Sequence, residues 1–81
     1  MQTLETRQLI AFTELARLGS FTEVANQLSL TQSAVSHSIK ALEKQLDVIL
    51  FERFGKNVSL TLEGQALLPY ANKIITQMQI A

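Results

Sequence analysis

Residues 19–46, GSFTEVANQLSLTQSAVSHSIKALEKQL, contain two amphipathic helical patterns separated by a short polar break. The first pattern has apolar residues at positions i, i+3, i+4 and i+7, namely Phe21, Val24, Ala25 and Leu28. Ser20 precedes this pattern, and its hydroxyl can accept a hydrogen bond from the Glu23 amide, as in a capping box. The sequence therefore predicts a short helix that begins after Ser20 and ends near Ser29.

The second pattern predicts a longer helix with one apolar face and one polar face. Thr31 is its predicted N-cap, and the helix is predicted to end at about Leu46. The apolar face consists of Val35, Ile39, Leu42 and Leu46. The opposite face consists of Ser33, His37, Lys40 and Lys44, with Ser36 beside them. Two short helices around a tight turn, the second with a polar outer face, predict a helix-turn-helix over about residues 21–40.

Two further helices are predicted on either side of this motif. The first is indicated by apolar residues at helical spacing, Leu9, Phe12, Leu15 and Ala16. It is predicted to end at Gly19, which can adopt the left-handed conformation. The last helix is predicted to follow Thr61, as its N-cap, and to continue to the end of the chain, over residues 62–81.

Between the third and fourth helices the pattern predicts a small β-hairpin. Residues 48–51 and 58–60 are rich in β-branched and large apolar side chains, and they flank Phe54-Gly55-Lys56-Asn57. Gly and Asn can supply the positive φ that a tight hairpin turn needs. This hairpin, the wing, is predicted over about residues 49–60. The predicted fold is mainly α, a winged helix-turn-helix with a three-helix core, a small β-hairpin wing and a long C-terminal helix. The winged domain is predicted to comprise residues 1–61.

Composition limits the classes of protein to which the chain can belong. Its 81 residues suit one small domain, and the absence of Cys excludes disulfides and thiolate metal sites and is compatible with a reducing cytoplasm. No apolar run is long enough to span a bilayer, and the N-terminus does not resemble a signal peptide, so we expect a cytoplasmic protein without membrane contact. Seven basic residues balance seven acidic ones. A nucleic-acid interface would therefore require the basic groups to be collected on one face.

The sequence resembles the N-terminal domain of LysR-type transcription regulators. The resemblance rests on Gly19-Ser20-Phe21-Thr22, Val24-Ala25, Leu28, Thr31-Gln32-Ser33-Ala34-Val35-Ser36, Ile39, Leu42-Glu43, Leu46, Leu50-Phe51-Glu52-Arg53, Leu60-Thr61 and Gly64. It extends from about Arg7 to about Ala71. Two positions depart from the family pattern, Asp47 in place of the usual Gly and Glu63 in place of the usual Ala, and neither threatens the fold.

The resemblance implies binding of double-stranded DNA by a bacterial transcription regulator. It also implies that the C-terminal effector-binding domain, and with it any small-molecule effector, is absent from this chain. The residues expected at base edges in the major groove are Gln32, Ser33, Ser36 and His37. Those expected at phosphates are Thr31, Lys40, Arg53 and Lys56.

Several roles remain open at this point. Arg53 can contact DNA or anchor the wing internally, and Lys44 can be a phosphate contact or an ordinary surface lysine. Thr22 and Ser29 are weaker candidates for contact with the DNA backbone.

The fourth helix carries more apolar surface than one side of a small domain can cover. Leu67, Ala71, Ile74 and Met78 recur at heptad-like spacing, and Leu68, Ile75 and Ile80 add to them. All of these can pack on the core. The resemblance instead implies a linker helix that pairs two subunits, so we predict a homodimer whose interface contains Leu67, Ala71, Ile74 and Met78.

Two other classes of function stand beside DNA binding. A winged helix can dock a protein through its third helix, an alternative that the neutral net charge favours and the polar outer face of that helix opposes. An enzyme fragment would need an acid-base or nucleophile constellation. His37 is the only histidine and Asp47 the only aspartate, so the sequence predicts neither catalysis nor a metal site, and no cofactor.

Overall fold

The computed structural model describes residues 5–80, except for the side chains of Gln79 and Ile80. Within these residues the chain forms four helices and one antiparallel hairpin, in the order of a winged helix-turn-helix. The elements are α1 (Thr6–Leu18), α2 (Phe21–Leu28), α3 (Gln32–Leu46), β1 (Phe51–Phe54), β2 (Asn57–Leu60) and α4 (Leu62–Ile80). The predicted fold class is therefore confirmed.

The N-termini of α2 and α3 are capped by the side chains that the sequence indicated. The Ser20 hydroxyl accepts a hydrogen bond from the Glu23 amide at 3.2 Å, and the Thr31 hydroxyl accepts one from the Ala34 amide at 3.0 Å. Each bond satisfies an amide that has no partner within its own helix. The two caps fix where α2 and α3 begin, and so they fix the turn between them.

The C-termini of α1, α2 and α3 all lead into a residue in the left-handed conformation. Gly19 follows α1 with φ 68°, as predicted, and Asp47 follows α3 with φ 56°. Ser29 follows α2 with φ 57°, which the sequence did not indicate. Since the Leu30 amide reaches back to the Ala25 carbonyl at 2.8 Å, α2 ends in a Schellman motif without a glycine.

The core lies between α1, α2, α3 and the base of the wing. Within it the rings of Phe12 and Phe51 meet edge to face, with their centroids 5.5 Å apart. The predicted stripe of α3 is buried at Val35, Ile39 and Leu42, whereas Leu46 is only partly buried. The remaining buried apolar residues are Leu9, Ala11, Leu15, Val24, Ala25, Leu50, Val58 and Ala71.

The wing is shorter than predicted because its first strand begins at Phe51 and not near residue 49. The Val48 amide bonds the Glu43 carbonyl at 3.2 Å, and the Leu50 amide bonds the Glu43 carboxylate at 2.8 Å. Because both amides bond to Glu43 near the end of α3, residues 48–50 form an irregular connection and not a strand. The hairpin itself pairs Phe51 with Leu60 at its base.

The loop of the hairpin consists of Gly55 and Lys56, between the paired residues Phe54 and Asn57. Only Gly55 of these has a positive φ, 62°, which is the pattern of a type II′ turn. The Val58 amide donates to the Gly19 carbonyl at 3.0 Å. This bond fixes the wing against the connection between α1 and α2.

Helix α4 packs closely on the base of the wing. The Thr61 hydroxyl accepts a hydrogen bond from the Gly64 amide at 3.1 Å and donates one to the Ile49 carbonyl at 2.6 Å. A Cβ atom on Gly64 would lie 2.4 Å from the carbonyl oxygen of Leu50. Glycine at this position therefore permits an approach of two backbones that no other residue would allow.

The apolar side chains of α4 divide between the core and the surface. Ala71 is completely buried and Leu67 is partly buried against the core, so Ala71 has no surface left for a second subunit. Its predicted interface role is wrong for this reason. Ile74 and Met78 are 41% and 42% exposed. The side chain of Ile80 lies outside the described residues.

Among the helices that the structure describes, none combines the length and the apolar composition needed to cross a membrane.

Candidate nucleic-acid interface

An open groove of about 430 Å³ runs between the exposed face of α3 and the wing. We call it the α3 groove. Its described lining residues are Phe21, Gln32, Ser33, Ser36, His37, Lys40 and Arg53. Six of these seven are residues that the sequence proposed for contact with DNA, and Phe21 is the seventh. The fold thus brings together side chains that are up to 32 positions apart in the sequence, from Phe21 to Arg53.

The first turn of α3 carries two kinds of polar group at one end of the groove. The Thr31 hydroxyl oxygen accepts the capping hydrogen bond from the Ala34 amide, and its own O–H remains able to donate. The backbone amides of Gln32 and Ser33 precede the first capped amide and have no acceptor within the helix. Free amides at a helix N-terminus form a favourable site for a phosphate.

Gln32 is held in place by a residue of the preceding helix. Its side-chain nitrogen Nε2 donates a hydrogen bond to the Thr22 hydroxyl oxygen at 2.9 Å. Both residues are exposed, and this bond bridges the N-terminal turns of α2 and α3. Sequence patterns gave no sign of this pair, because Thr22 and Gln32 belong to different helices and neither lies on an apolar stripe.

Arg53 lies above the aromatic ring of Phe21, with its guanidinium carbon 4.7 Å from the ring centroid. This cation–π contact joins the first strand of the wing to the N-terminus of α2. The anchoring role that the sequence left open is therefore present, through stacking. Because Arg53 also lines the groove, its charge still faces the same space as Lys40 and His37.

The wing adds one predicted and one unpredicted residue at its tip. Lys56 is exposed in the Gly55-Lys56 loop. Phe54, beside the loop, is 62% exposed. Phe54 was not among the residues expected at DNA, because a single exposed aromatic side chain is common on protein surfaces and does not by itself indicate a contact surface.

Charge is unevenly distributed around α3. Among the described residues that line the α3 groove, none is acidic, while Lys40 and Arg53 are basic. A second cavity, on the other side of Lys40, is lined by Glu43, Lys44, Asp47, Val48, Ile49 and Glu63. Lys44 thus lies among acidic residues and outside the α3 groove. Although the net charge of the chain is zero, no acidic side chain is among the described residues that line the α3 groove.

Other ionisable groups lie apart from the α3 groove. On α1, a hydrogen bond from Arg17 to the Glu14 carboxylate, at 2.7 Å, raises the pKa of the arginine, and the carboxylate charge adds to this effect. In the part of the chain that the structure describes, no three His, Asp or Glu side chains gather where they could hold a metal ion.

The sequence matches the family of bacterial regulatory helix-turn-helix proteins of lysR type over residues 6–65. The chain belongs to the LysR family. Among its relatives, an uncharacterized HTH-type transcriptional regulator of Azotobacter vinelandii, from the ibpB-leuC intergenic region, is 47% identical over 76 residues. The match covers 94% of this chain and 53% of that protein, so the LysR-family chain spans about half the length of this relative.

Two solved structures have the same architecture as this chain. OxyR of Corynebacterium glutamicum superposes with a TM-score of 0.94 and 32% identity, over 98% of this chain and 26% of that one. A complex of the BenM DBD with benA site 1 DNA superposes with a TM-score of 0.87 and 33% identity, over 93% of this chain and 87% of the other. The second comparison concerns a domain of nearly the same extent.

Proposed function

We propose that this chain is the DNA-binding domain of a LysR-family transcription regulator and binds operator DNA as a homodimer. Helix α3 enters the major groove, and the wing lies on the adjacent backbone or minor groove. The observation that carries the proposal is the acid-free α3 groove, in which hydrogen-bonding and basic side chains face one space. The likeness to a BenM DBD crystallised with DNA supports it. Since chromosomal DNA is the ligand, the protein works in the cytoplasm.

The proposed contacts fall into two groups with different consequences. Gln32, Ser33, Ser36 and His37 read base edges, because they are the uncharged or weakly basic groups on the exposed face of α3. Lys40, Arg53, Lys56 and the α3 N-terminus organised by Thr31 bind phosphates, which gives affinity for any sequence.

We further propose that residues 62–81 form the dimer contact and residues 1–61 the DNA-binding unit. Support comes from the apolar side chains of α4 that the domain leaves exposed, Leu62, Tyr70, Ile74 and Met78. Ile74 and Met78 are one turn apart, so they form a continuous apolar patch on α4. A second α4 helix would cover this patch, and Leu67 can contribute its exposed part.

Docking of a protein on α3 is the alternative function. The groove opposes it, since its described lining is polar apart from Phe21, on which Arg53 is stacked. Protein interfaces usually have an apolar centre.

The test is an electrophoretic mobility assay with random-sequence duplex DNA at low salt. We expect a shifted band that weakens as salt is raised, because each phosphate contact releases counterions. Lys40→Ala should reduce the shift, whereas Lys73→Ala, which removes the same charge from α4, should leave it nearly unchanged. The absence of any shift for the wild-type chain would refute the proposal and favour protein docking.

A further inference from the structure

The bridge between Thr22 and Gln32 leaves the glutamine amide with a defined set of free groups. A primary amide has two N–H donors and one carbonyl acceptor. One N–H of Gln32 is engaged by the Thr22 hydroxyl at 2.9 Å. The carbonyl oxygen and the second N–H therefore remain available, and both belong to a side chain at the first position of α3.

These two free groups are what adenine requires in the major groove. Adenine presents an acceptor at N7 and a donor at N6, and a glutamine can pair with both at once. From this geometry we infer that Thr22 is a positioning residue, which holds the Gln32 amide for recognition of one base pair. The inference rests on the proposed function, since it concerns how the same groove distinguishes sequences.

The physical effect of the bridge is to reduce the disorder of Gln32 before DNA arrives. An exposed glutamine rotates about three side-chain bonds and loses this freedom when it pairs with a base. A bond to Thr22 restricts that rotation in the free protein, so less entropy is lost on binding. Removal of the hydroxyl should thus lower the preference for the correct base pair by about 2- to 10-fold, with little change on unrelated DNA.

Thr22 could instead contact a phosphate directly, as its position at the N-terminus of α2 allows. The two roles differ in what they affect. A phosphate contact strengthens binding to every sequence, whereas a positioning role acts only where Gln32 reads a base. A positioning role also disappears when Gln32 is removed.

The experiment uses duplexes selected by the wild-type chain from a random library. The base pair read by Gln32 is first located as the position at which Gln32→Ala no longer discriminates among bases. Dissociation constants are then measured on the selected duplex, on duplexes altered at that base pair and on a random duplex. The variants are Thr22→Val, which removes the hydroxyl and keeps the shape, Thr22→Ser, which keeps the hydroxyl, and each in the Gln32→Ala background.

Thr13→Val is the matched control, because Thr13 bonds a carbonyl of its own helix α1 and does not line the groove. We expect Thr22→Val to lose discrimination at that base pair by the stated factor, with unchanged affinity for random DNA and an unchanged melting temperature. Thr22→Ser should retain discrimination, and Thr22→Val should add nothing in the Gln32→Ala background.

An equal loss on all duplexes, persisting in the Gln32→Ala background, would overturn the inference and make Thr22 a phosphate contact. Unchanged discrimination in Thr22→Val would overturn it as well, while the proposed function stands. If the wild-type chain selects no sequence at all, the proposed function and this inference are both overturned, because there is then no base preference for Thr22 to support.

Discussion

Replacement of Gly64 by alanine tests the packing that sets the wing and α4 relative to each other. The added Cβ would lie 2.4 Å from the Leu50 carbonyl oxygen and 2.7 Å from Cδ2 of Leu60. Ordinary contacts between carbon atoms are about 3.5–4.0 Å, so α4 must move by roughly an ångström or the wing base must yield. The same Leu50 carbonyl accepts a hydrogen bond from the Thr61 amide at 2.9 Å, which any such movement strains.

The expected loss of stability follows from these contacts. Overpacking costs about 1–3 kcal/mol, and distortion of one hydrogen bond costs about 1 kcal/mol more. The higher helix propensity of alanine offsets up to about 1 kcal/mol of this loss of stability. The net free energy of unfolding should therefore fall by about 1–3 kcal/mol in Gly64→Ala. For a domain of this size that corresponds to a melting temperature lower by roughly 5–20 °C.

Thermal unfolding followed by circular dichroism measures this effect. Gln65→Ala is a suitable control, since Gln65 is the exposed neighbour of Gly64 on α4 and alanine is at least as good a helix former as glutamine. We expect the control to melt close to the wild type. A melting temperature of Gly64→Ala at or above that of the wild type would show that the close approach of α4 to the wing base is not a constraint.

Two further predictions concern affinity and assembly. Lys56→Ala should weaken binding to all duplexes by similar factors and reduce the slope of log K against log salt by about one unit per subunit. Gln32→Ala should leave that slope unchanged, because glutamine carries no charge. An unaltered slope for Lys56→Ala would show that Lys56 does not contact DNA. Ile74→Glu combined with Met78→Glu should give monomers in sedimentation, because like charges would meet across a two-fold axis. Gln77→Glu is the control for added charge on α4, and an unchanged mass of the double variant would exclude this face as the interface.

Much of the fold can be predicted from the sequence, because the information for it is local. Ser20 and Thr31 begin their helices through hydrogen bonds to amides three residues away, and Gly19 ends α1 through its own φ. Ser29 was missed as a left-handed residue because serine has no strong preference for that conformation. It is imposed by the backbone bonds that end α2.

The parts of the site that could not be predicted depend on pairs of residues from different elements. The stacking of Arg53 on Phe21 joins residues 32 positions apart, and helical periodicity assigned Phe21 simply to an apolar stripe. Ala71 fits a heptad pattern equally well whether the helix faces the core or a partner. Its complete burial follows from how α4 lies on the rest of the domain. Periodicity identifies which residues share a face, and the tertiary packing determines what that face meets.

The most direct test of the account is the sequence pattern that the chain enriches from random duplex DNA. A homodimer that inserts two α3 helices in successive major grooves should enrich an inverted repeat, with half-site centres roughly 34 Å, or a multiple of this, apart along the duplex. Gln32→Ala should lose the preference at one symmetric pair of positions and keep the spacing. Enrichment of a single asymmetric half-site, or of no sequence at all, would contradict the account.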